Sequence, residues 1–358
     1  MRASRYFVTP YSTPPSAPGA APTSRRYRYD LFAPASALPG APHVLLLHGF
    51  PDAGSLRGVA SALAFAGFTA VLPDMLGYGR TSKPPQTRIA EYGPHAMVND
   101  LLALMESLVG QQRFVVVGHD WGSFLAWRFA LHAPQRVLGI AGISVPYVPQ
   151  PSQTQFLPFE RLLQVVPSFG YQAFFAEPRS SALIEPRIDD FLSMIFAAPR
   201  AMRTEAARTY EWNAAGTLER MLQQPLAPET LADFKQAALL RGEDWERVLD
   251  CFDPKRGGSI DAPLNWYRCR RIAWEEERTL ASLKLPQMPY LLLMSTHDAA
   301  LPAQMGAAMP KHAPAGTLRT AVAQGCGHWP HLEQPNWVVQ QIRAWLEEEV
   351  GVGRAGKM

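Results

Sequence analysis

The most informative part of this 358-residue sequence is Phe114-Val115-Val116-Val117-Gly118-His119-Asp120-Trp121-Gly122. Its first four residues form an apolar, mostly β-branched run that predicts a buried strand. The amphipathic stretch 123–132 that follows predicts a helix. The Gly-X-Asp-X-Gly turn between them leaves room around a central residue on a strained backbone, because glycine has no Cβ. A strand, such a turn and a helix together expose the central side chain as a nucleophile, and here that side chain is the carboxylate of Asp120.

Strands and helices alternate on both sides of this turn. Apolar and β-branched runs predict strands at 6–9, 26–32, 44–47, 68–72, 114–117, 137–143, 290–294 and 318–322. Apolar residues at helical spacing predict helices at 55–65, 96–109, 123–132, 272–283 and 337–348. This alternation predicts an α/β fold with a mostly parallel, doubly wound sheet.

Residues 147–272 interrupt the alternation and contain no clear run typical of a parallel strand. Pro and Gly residues divide this segment into predicted helices at 159–166, 188–197, 206–214, 229–240 and 244–252. An all-helical insertion of this kind is expected to form a cap over the active site. The predicted organisation is therefore a first core part at 1–146, a helical cap at 147–272 and a second core part at 273–358.

The composition predicts a globular protein and excludes several partners. The chain is 47% hydrophobic and 18% charged, with a formal net charge of +3. Its arginines are scattered and form no basic stripe with interleaved aromatic residues, so a nucleic-acid partner is not expected. Cys251, Cys269 and Cys326 have no metal-ligand spacing and favour a reducing compartment without disulfides. No apolar stretch reaches the roughly 18 residues that a membrane helix needs, and we predict a cytoplasmic protein.

Both ends of the chain leave other locations open. Residues 1–29 hold five arginines, several Ser and Thr and no acidic residue, which gives them some transit-peptide character. The favoured interpretation is two strands joined by the Pro-rich stretch 10–24. At the other end, Gly356-Lys357-Met358 faintly resembles a peroxisomal signal.

Three acidic or basic residues follow predicted strands in the order nucleophile, acid, histidine. Asp120 comes first, Asp298 follows the strand at 290–294, and His328 follows the strand at 318–322. In such a set the acid orients the imidazole and stabilises its cation, and the imidazole takes a proton from water. Each residue alone would more often be structural, but the three in this order, together with the glycines of the turn, predict a catalytic triad.

A carboxylate nucleophile restricts the reaction. It can attack a strained or activated sp³ carbon to give an alkyl ester, whose carbonyl water then attacks. Asp120 therefore argues against an esterase, lipase or peptidase and favours epoxide opening or dehalogenation. Ester hydrolysis passes through an oxyanion, for which we expect the backbone N–H groups of Trp121 and Phe50 as the stabilising donors.

These motifs closely resemble those of the soluble epoxide hydrolases of the α/β-hydrolase superfamily. The matching segments are His48-Gly49-Phe50-Pro51, Gly77-Tyr78-Gly79-Arg80-Thr81-Ser82, Gly118-His119-Asp120-Trp121-Gly122 and Gly327-His328-Trp329. The resemblance runs from near residue 25 to about residue 348. It implies an α/β-hydrolase fold with an inserted helical cap and a small-molecule epoxide as substrate, without a metal or an organic cofactor.

The resemblance also implies two cap tyrosines that hydrogen-bond the epoxide oxygen. One is Tyr171 in the segment Phe169 to Pro178, and the other is Tyr267 in Leu264-Asn265-Trp266-Tyr267-Arg268. Epoxide opening releases an alkoxide, which is a poor leaving group unless it is protonated or hydrogen-bonded. A phenol with a pKa near 10 stays protonated at neutral pH and can donate.

Two alternatives remain open. The catalytic motifs also fit haloalkane or haloacid dehalogenases, in which a halide leaves without a proton, and the same pocket could belong to a catalytically silent binding protein. Residues 242–262 look like an extension relative to the family. This extension could reshape the pocket, contact a partner or be an inert surface loop. Neither the substrate nor the oligomeric state follows from the sequence.

Overall fold

The computed structural model describes residues 2–9, 24–224 and 226–351. Eight strands in these ranges form one sheet with the order β1-β2-β4-β3-β5-β6-β7-β8. The strands are β1 (Arg2–Val8), β2 (Arg26–Phe32), β3 (Val44–Leu47), β4 (Ala70–Pro73), β5 (Phe114–His119), β6 (Val137–Ile143), β7 (Tyr290–Ser295) and β8 (Leu318–Ala323). All eight predicted strands are present, with ends shifted by a few residues. The predicted Pro-rich connection at 10–24, except Ser24, and the segment 356–358 lie outside the described residues.

The sheet is mostly parallel, as predicted. Strands β3 to β8 pair in parallel, whereas β1 pairs with β2 and β2 pairs with β4 in antiparallel register. Every residue of β3, β5 and β7 is buried. Continuous burial follows from helices that cover both faces of a parallel sheet.

Helices flank the sheet and fill the interval between β6 and β7. The α-helices in the described ranges are α1 (Arg57–Phe65), α2 (Pro94–Val109), α3 (Trp121–His132), α4 (Phe159–Val165), α5 (Gly170–Ala176), α6 (Ser180–Ile184), α7 (Ile188–Ile195), α8 (Glu205–Arg208), α9 (Thr217–Gln223), α10 (Pro228–Ala237), α11 (Gly242–Phe252), α12 (Asp261–Arg268), α13 (Arg270–Glu277), α14 (Pro330–Glu333) and α15 (Pro335–Glu348). Short 3₁₀ helices span Gln86–Tyr92, Pro134–Arg136, Pro167–Phe169, Glu185–Arg187, Pro199–Ala201, Pro254–Arg256 and Ala303–Lys311. None of the helices in the described part of the chain combines the length and the apolar character that crossing a membrane requires.

Alternate side chains of the central strands supply two separate cores. Leu45 and Leu47 belong to a hydrophobic cluster with α2, α3 and the helices between β6 and β7. Val44 and Leu46 belong to a second cluster with α1 and α15. The first cluster is therefore continuous from the side of the sheet that carries α2 and α3 into the inserted helices.

Some helix predictions are wrong. The helix predicted at 206–214 ends at Arg208, and the helix predicted at 272–283 ends at Glu277. Helices α5, α6, α9 and α12 were not predicted, and the predicted cap boundary at residue 272 falls within α13. The assignment of 147–272 as a cap domain stays a prediction.

The segment 242–262 is not an inert surface loop. Its first half forms α11, as the predicted helix at 244–252 requires, and one face of α11 is buried. Val248, Leu249, Cys251 and Phe252 form that face. The interpretation as a surface loop is wrong because these side chains are part of the hydrophobic core.

Candidate active site

The turn after β5 places Asp120 on a strained backbone, with φ of 54°. A Cβ on Gly118 would lie 2.2 Å from the carbonyl oxygen of Gly122, and a Cβ on Gly122 would lie 2.0 Å from the carbonyl oxygen of Leu47. The chain can therefore reverse sharply from β5 into α3 only with glycine at both positions. This reversal holds the Asp120 carboxylate at the end of the central strand β5.

The Asp120 carboxylate has a different partner on each oxygen. The Phe50 backbone N–H donates to Oδ1 at 2.8 Å, and His328 Nε2 lies 3.5 Å from Oδ2. Of the two backbone donors predicted for the oxyanion, Phe50 thus touches the carboxylate. In the described structure the Trp121 N–H makes no hydrogen bond to this carboxylate, and its role stays a prediction.

His328 and Asp298 lie together, as their order in the sequence suggests. His328 Nδ1 is 2.8 Å from Asp298 Oδ2, and the backbone N–H groups of Ala300 and Leu301 donate to Asp298 Oδ1 at 3.1 and 3.0 Å. Both oxygens of Asp298 are therefore held, and Nδ1 of the imidazole is anchored on Asp298 while Nε2 lies toward Asp120. The three side chains form the contiguous arrangement of a nucleophile, a base and an orienting acid.

The charges of these groups stabilise one another. Burial would raise the pKa of the Asp120 carboxyl, but the hydrogen bond and charge of His328 outweigh burial and hold that pKa below its usual value. Burial disfavours the His328 imidazolium, but the carboxylates of Asp298 and Asp120 outweigh it and raise the pKa of His328 to about 10. In the free protein the imidazolium is thus held between two carboxylates.

The backbone of His328 is held by two residues, His119 and Ser144, that were not predicted as site residues. Its backbone carbonyl accepts hydrogen bonds from His119 Nε2 at 2.9 Å and from Ser144 Oγ at 3.0 Å. Burial and the neighbouring His328 lower the pKa of His119 to about 4, so His119 is a neutral donor. Ser144, like Asp120, has a positive φ. The signal for His119 was its place beside Asp120, whereas nothing in the sequence pointed to Ser144.

Tyr171 and Tyr267 lie on α5 and α12 above the carboxylate. Their ring centroids are 6.2 Å apart, and both side chains are buried. Burial and then the negative charge of Asp120 raise the pKa of both phenols well above the ordinary value. Gln172 Nε2 donates to the Tyr171 hydroxyl at 3.2 Å, so the Tyr171 proton is left to donate elsewhere. Both tyrosines are therefore protonated hydrogen-bond donors close to Asp120.

Aromatic rings surround these polar groups. The Tyr267 ring meets the edges of Phe50, Trp121 and Phe175 at centroid distances of 5.2, 5.0 and 4.9 Å. Phe252 of α11 lies 6.4 Å from Phe50, so the segment 242–262 contributes to this wall. The carboxylate, the imidazole and the phenols are thus surrounded by an aromatic cluster that includes Phe50, Trp121, Phe175 and Phe252.

No group of three or more His, Cys, Asp or Glu residues in the described ranges is arranged to hold a metal ion.

A family model described as alpha/beta hydrolase fold matches residues 42–335. Bifunctional epoxide hydrolase 2 of Sus scrofa is 31% identical over 312 residues, which cover 86% of this chain and 52% of that protein. The chain thus spans about half the length of curated relatives of this kind. Epoxide hydrolase srdG of Neurospora crassa is 30% identical over 341 residues, which cover 91% of this chain and 93% of that protein.

A solved structure is similar over nearly the whole chain. The crystal structure of epoxide hydrolase A from Mycobacterium thermoresistibile has a TM-score of 0.73 and 26% sequence identity, and the match covers 98% of this chain and 99% of that chain. The family match and the near full-length relative agree with the geometry of the site. The chain belongs to the α/β-hydrolase fold family and, within it, to the epoxide hydrolases.

Proposed function

We propose that this protein hydrolyses a small-molecule epoxide to a vicinal diol through a covalent ester on Asp120. The observation that supports this most is the pair of buried, protonated phenols, Tyr171 and Tyr267, close to a nucleophilic carboxylate. Such donors suit an alkoxide leaving group, whereas a halide needs no proton. The names of the relatives agree with this activity.

In the first half-reaction, Asp120 Oδ2 attacks an oxirane carbon and the ring C–O bond breaks. The Phe50 N–H holds Oδ1, which leaves Oδ2 as the attacking oxygen. Tyr171 and Tyr267 hydrogen-bond the departing oxygen, and one of them gives it a proton. The products of this step are a neutral hydroxyalkyl ester and a tyrosinate.

Ester formation prepares the second half-reaction. Because Asp120 has lost its charge, the His328 imidazolium has lost one of its two carboxylates and becomes more acidic. Its proton restores the tyrosinate, and the neutral imidazole then takes a proton from water. The hydroxide attacks the ester carbonyl, whose oxygen Oδ1 lies at the Phe50 N–H. The tetrahedral intermediate collapses with cleavage of the bond between the carbonyl carbon and the alkoxy oxygen, and the leaving alkoxide takes the proton of the new carboxyl group to give the diol. Asp120 is again a carboxylate and His328 again an imidazolium.

A single turnover in ¹⁸O-labelled water tests the covalent step. Because water attacks the ester carbonyl, the first label is expected in Asp120 and not in the diol, as measured by mass spectrometry of the peptide and the product. Label that enters the diol in the first turnover would overturn the proposal. Asp120→Ala is expected to abolish turnover, and His328→Gln is expected to form the alkyl-enzyme and accumulate it.

Two other outcomes decide between functions on the same fold. Halide release from haloalkanes or haloacids, without diol formation from epoxides, would replace the proposal with a dehalogenase. Tight epoxide binding without turnover would replace it with a binding protein. Tyr171→Phe and Tyr267→Phe sharpen the test, because each should slow alkylation by an epoxide and leave ester hydrolysis nearly unchanged.

The division of the chain into a core and a cap is part of this function. Residues 147–272 act as the cap that supplies both tyrosines, and 1–146 with 273–358 form the core that supplies the triad. The proposal also includes a reducing compartment such as the cytoplasm, with which three buried, unpaired thiols at Cys251, Cys269 and Cys326 agree.

A further inference from the structure

The loop that carries His328 is held by a segment of the inserted helices. The Trp329 indole N–H donates to the backbone carbonyl of Ile195 at 3.0 Å, and the Trp329 ring stacks on Phe196 with centroids 4.5 Å apart and planes 27° apart. Both side chains are buried, with 1% of Trp329 and none of Phe196 exposed. The contact therefore consists of one directional bond and one stacked pair in a dry environment.

The same segment covers the glycines of the histidine loop. A Cβ on Gly325 would collide with the guanidinium of Arg200, and a Cβ on Gly327 would lie 2.8 Å from the ring of Pro199. The loop and the segment 195–200 are thus in contact over several residues. The fit depends most on Gly327, because the Pro199 ring cannot move aside, whereas the exposed Arg200 side chain can.

The segment 195–200 is itself firmly joined to the inserted helices. The Ala198 N–H donates to Ala237 at 2.9 Å, and the Leu239 N–H donates to Phe196 at 2.8 Å, which makes a short bridge to the end of α10. At the other side, α7 leads into the segment, and its Phe191 packs 6.4 Å from Phe50. Helix α7 and the segment 195–200 together therefore contact both Phe50, beside Asp120, and the histidine loop.

Trp329 links the segment 195–200 to His328, because its ring also contacts the imidazole. Its ring meets the His328 imidazole edge to face at 5.1 Å and lies 4.8 Å from His119. Asp298 fixes Nδ1 of the imidazole and His119 fixes the backbone carbonyl, but neither prevents the ring from tilting toward Trp329. The indole fills that side.

We infer that Trp329 is a positioning residue for His328, through which the segment 195–200 holds the imidazole in place for ester hydrolysis. The inference rests on the proposed function. Alkylation needs Asp120, the Phe50 N–H and the tyrosines, and it does not depend on where Nε2 points. Ester hydrolysis does depend on the position of Nε2, because a displaced imidazole can no longer take a proton from the attacking water.

Trp329→Phe tests the inference, since it keeps an aromatic ring and removes the indole N–H. Quenched-flow experiments with mass spectrometry give the rates of alkylation and of ester hydrolysis separately. We expect alkylation to change by less than about threefold and hydrolysis to fall about tenfold or more, because small displacements of reacting groups are costly. The alkyl-enzyme should then accumulate at steady state.

Phe196→Leu approaches the same contact from the other side and leaves the histidine loop intact. It should slow hydrolysis selectively as well, and it provides the test if Trp329→Phe does not fold. The matched control is Trp274→Phe, which removes another buried indole N–H bond, to Ser152 at 2.7 Å, away from the site. A purely structural effect would lower the stability of all three variants without changing the ratio of the two rates.

An unchanged ratio in Trp329→Phe and Phe196→Leu, or an equal change in Trp274→Phe, would overturn the positioning role. Failure of the proposed function gives a different result, namely that His328→Gln accumulates no alkyl-enzyme. The two failures are therefore distinguishable.

Discussion

Gly49 shows how closely the backbone approaches the nucleophile. A Cβ at this position would lie 2.3 Å from Asp120 Oδ1, the oxygen that accepts the Phe50 N–H. Gly49→Ala should therefore displace the carboxylate from its donor and lower kcat/KM about 100-fold or more. Steady-state kinetics with a terminal epoxide, together with circular dichroism, measure this loss in a folded protein.

Gly58→Ala is the matched control, because Gly58 is exposed in α1 and a Cβ there would meet nothing within 4 Å. It should keep full activity and raise the free energy of unfolding by about 0.5 kcal/mol. Equal activity of the two variants would contradict the steric argument for Gly49.

His328 should change its protonation during the reaction. In the free protein its pKa is about 10, because Asp298 and Asp120 outweigh the effect of burial. Esterification neutralises Asp120, so the pKa of His328 must fall in the alkyl-enzyme. Since hydrolysis needs the neutral imidazole, its rate should rise with pH and level off below pH 10.

Alkylation should respond differently to pH. The pKa of Asp120 is held below its ordinary value and those of Tyr171 and Tyr267 lie above theirs, so the alkylation rate should be flat from about pH 6 to about pH 9. Rapid-mixing measurements of both rates from about pH 6 to about pH 11 are the test. A hydrolysis rate that levels off only above pH 10 would mean that the imidazolium persists in the alkyl-enzyme.

The strands and the long helices could be predicted from the sequence, whereas several of the short helices could not. Elements such as α5 and α9 are seven residues long, which is too short for the spacing of apolar residues to define a face. The helix predicted over the alanine-rich stretch 206–214 was wrong for a different reason. Its Asn213 carbonyl accepts from the Tyr171 N–H at 3.2 Å, and its side chain donates to Ala299 at 2.7 Å. These tertiary contacts override helix propensity.

The same limit applies to the site. The proximity of Asp120, Asp298 and His328 could be predicted because each follows a strand in a known order. Their catalytic roles, and those of Tyr171 and Tyr267, stay proposals. The residues that hold His328 and its loop could not be predicted. Ser144 and Ile195 make their contacts with residues more than a hundred positions away in the sequence. Such contacts leave no local pattern in the sequence.

Helix α11 brings an additional aromatic side chain to the aromatic cluster beside Asp120. Phe252 is fully buried and lies 6.4 Å from Phe50 and 6.0 Å from Tyr78. Phe252→Leu should leave more space behind Phe50, near Asp120. It should therefore raise kcat/KM for bulky aryl epoxides relative to small terminal ones. The lost packing should lower the free energy of unfolding by about 1–2 kcal/mol.

Phe234→Leu is the control for this substitution. Phe234 is also buried, but its ring meets that of Tyr210, with centroids 6.0 Å apart, rather than the rings of Phe50, Tyr171 or Tyr267. It should lower stability by a similar amount and leave the ratio of kcat/KM values unchanged. The same change of ratio in both variants would show that the effect comes from general loosening and not from Phe252.

Helix α13 also contacts helix α2, at a junction separate from the residues around Asp120. Glu276 of α13 accepts the His95 N–H at 2.9 Å at the beginning of α2, and its carboxylate covers Gly93. The neighbouring Glu277 forms a buried ion pair with Arg128 of α3 at 2.8 Å. Burial raises the pKa of Glu276 to about 7, so this junction binds a proton that the unfolded chain releases at lower pH.

The sign of the pH effect on stability follows from that shift. Between pH 4.5 and pH 7 the folded protein holds a proton on Glu276 that the unfolded chain has lost, so the free energy of unfolding should fall as the pH rises through this range. Glu276→Gln keeps an acceptor for the His95 N–H and cannot ionise. The variant should be more stable than the parent by about 1–2 kcal/mol at pH 8 and nearly equal to it at pH 4.5. Urea unfolding at the two pH values measures the difference, with the exposed Glu275→Gln as control, and a gain that is the same at both would show that ionisation of Glu276 is not its cause.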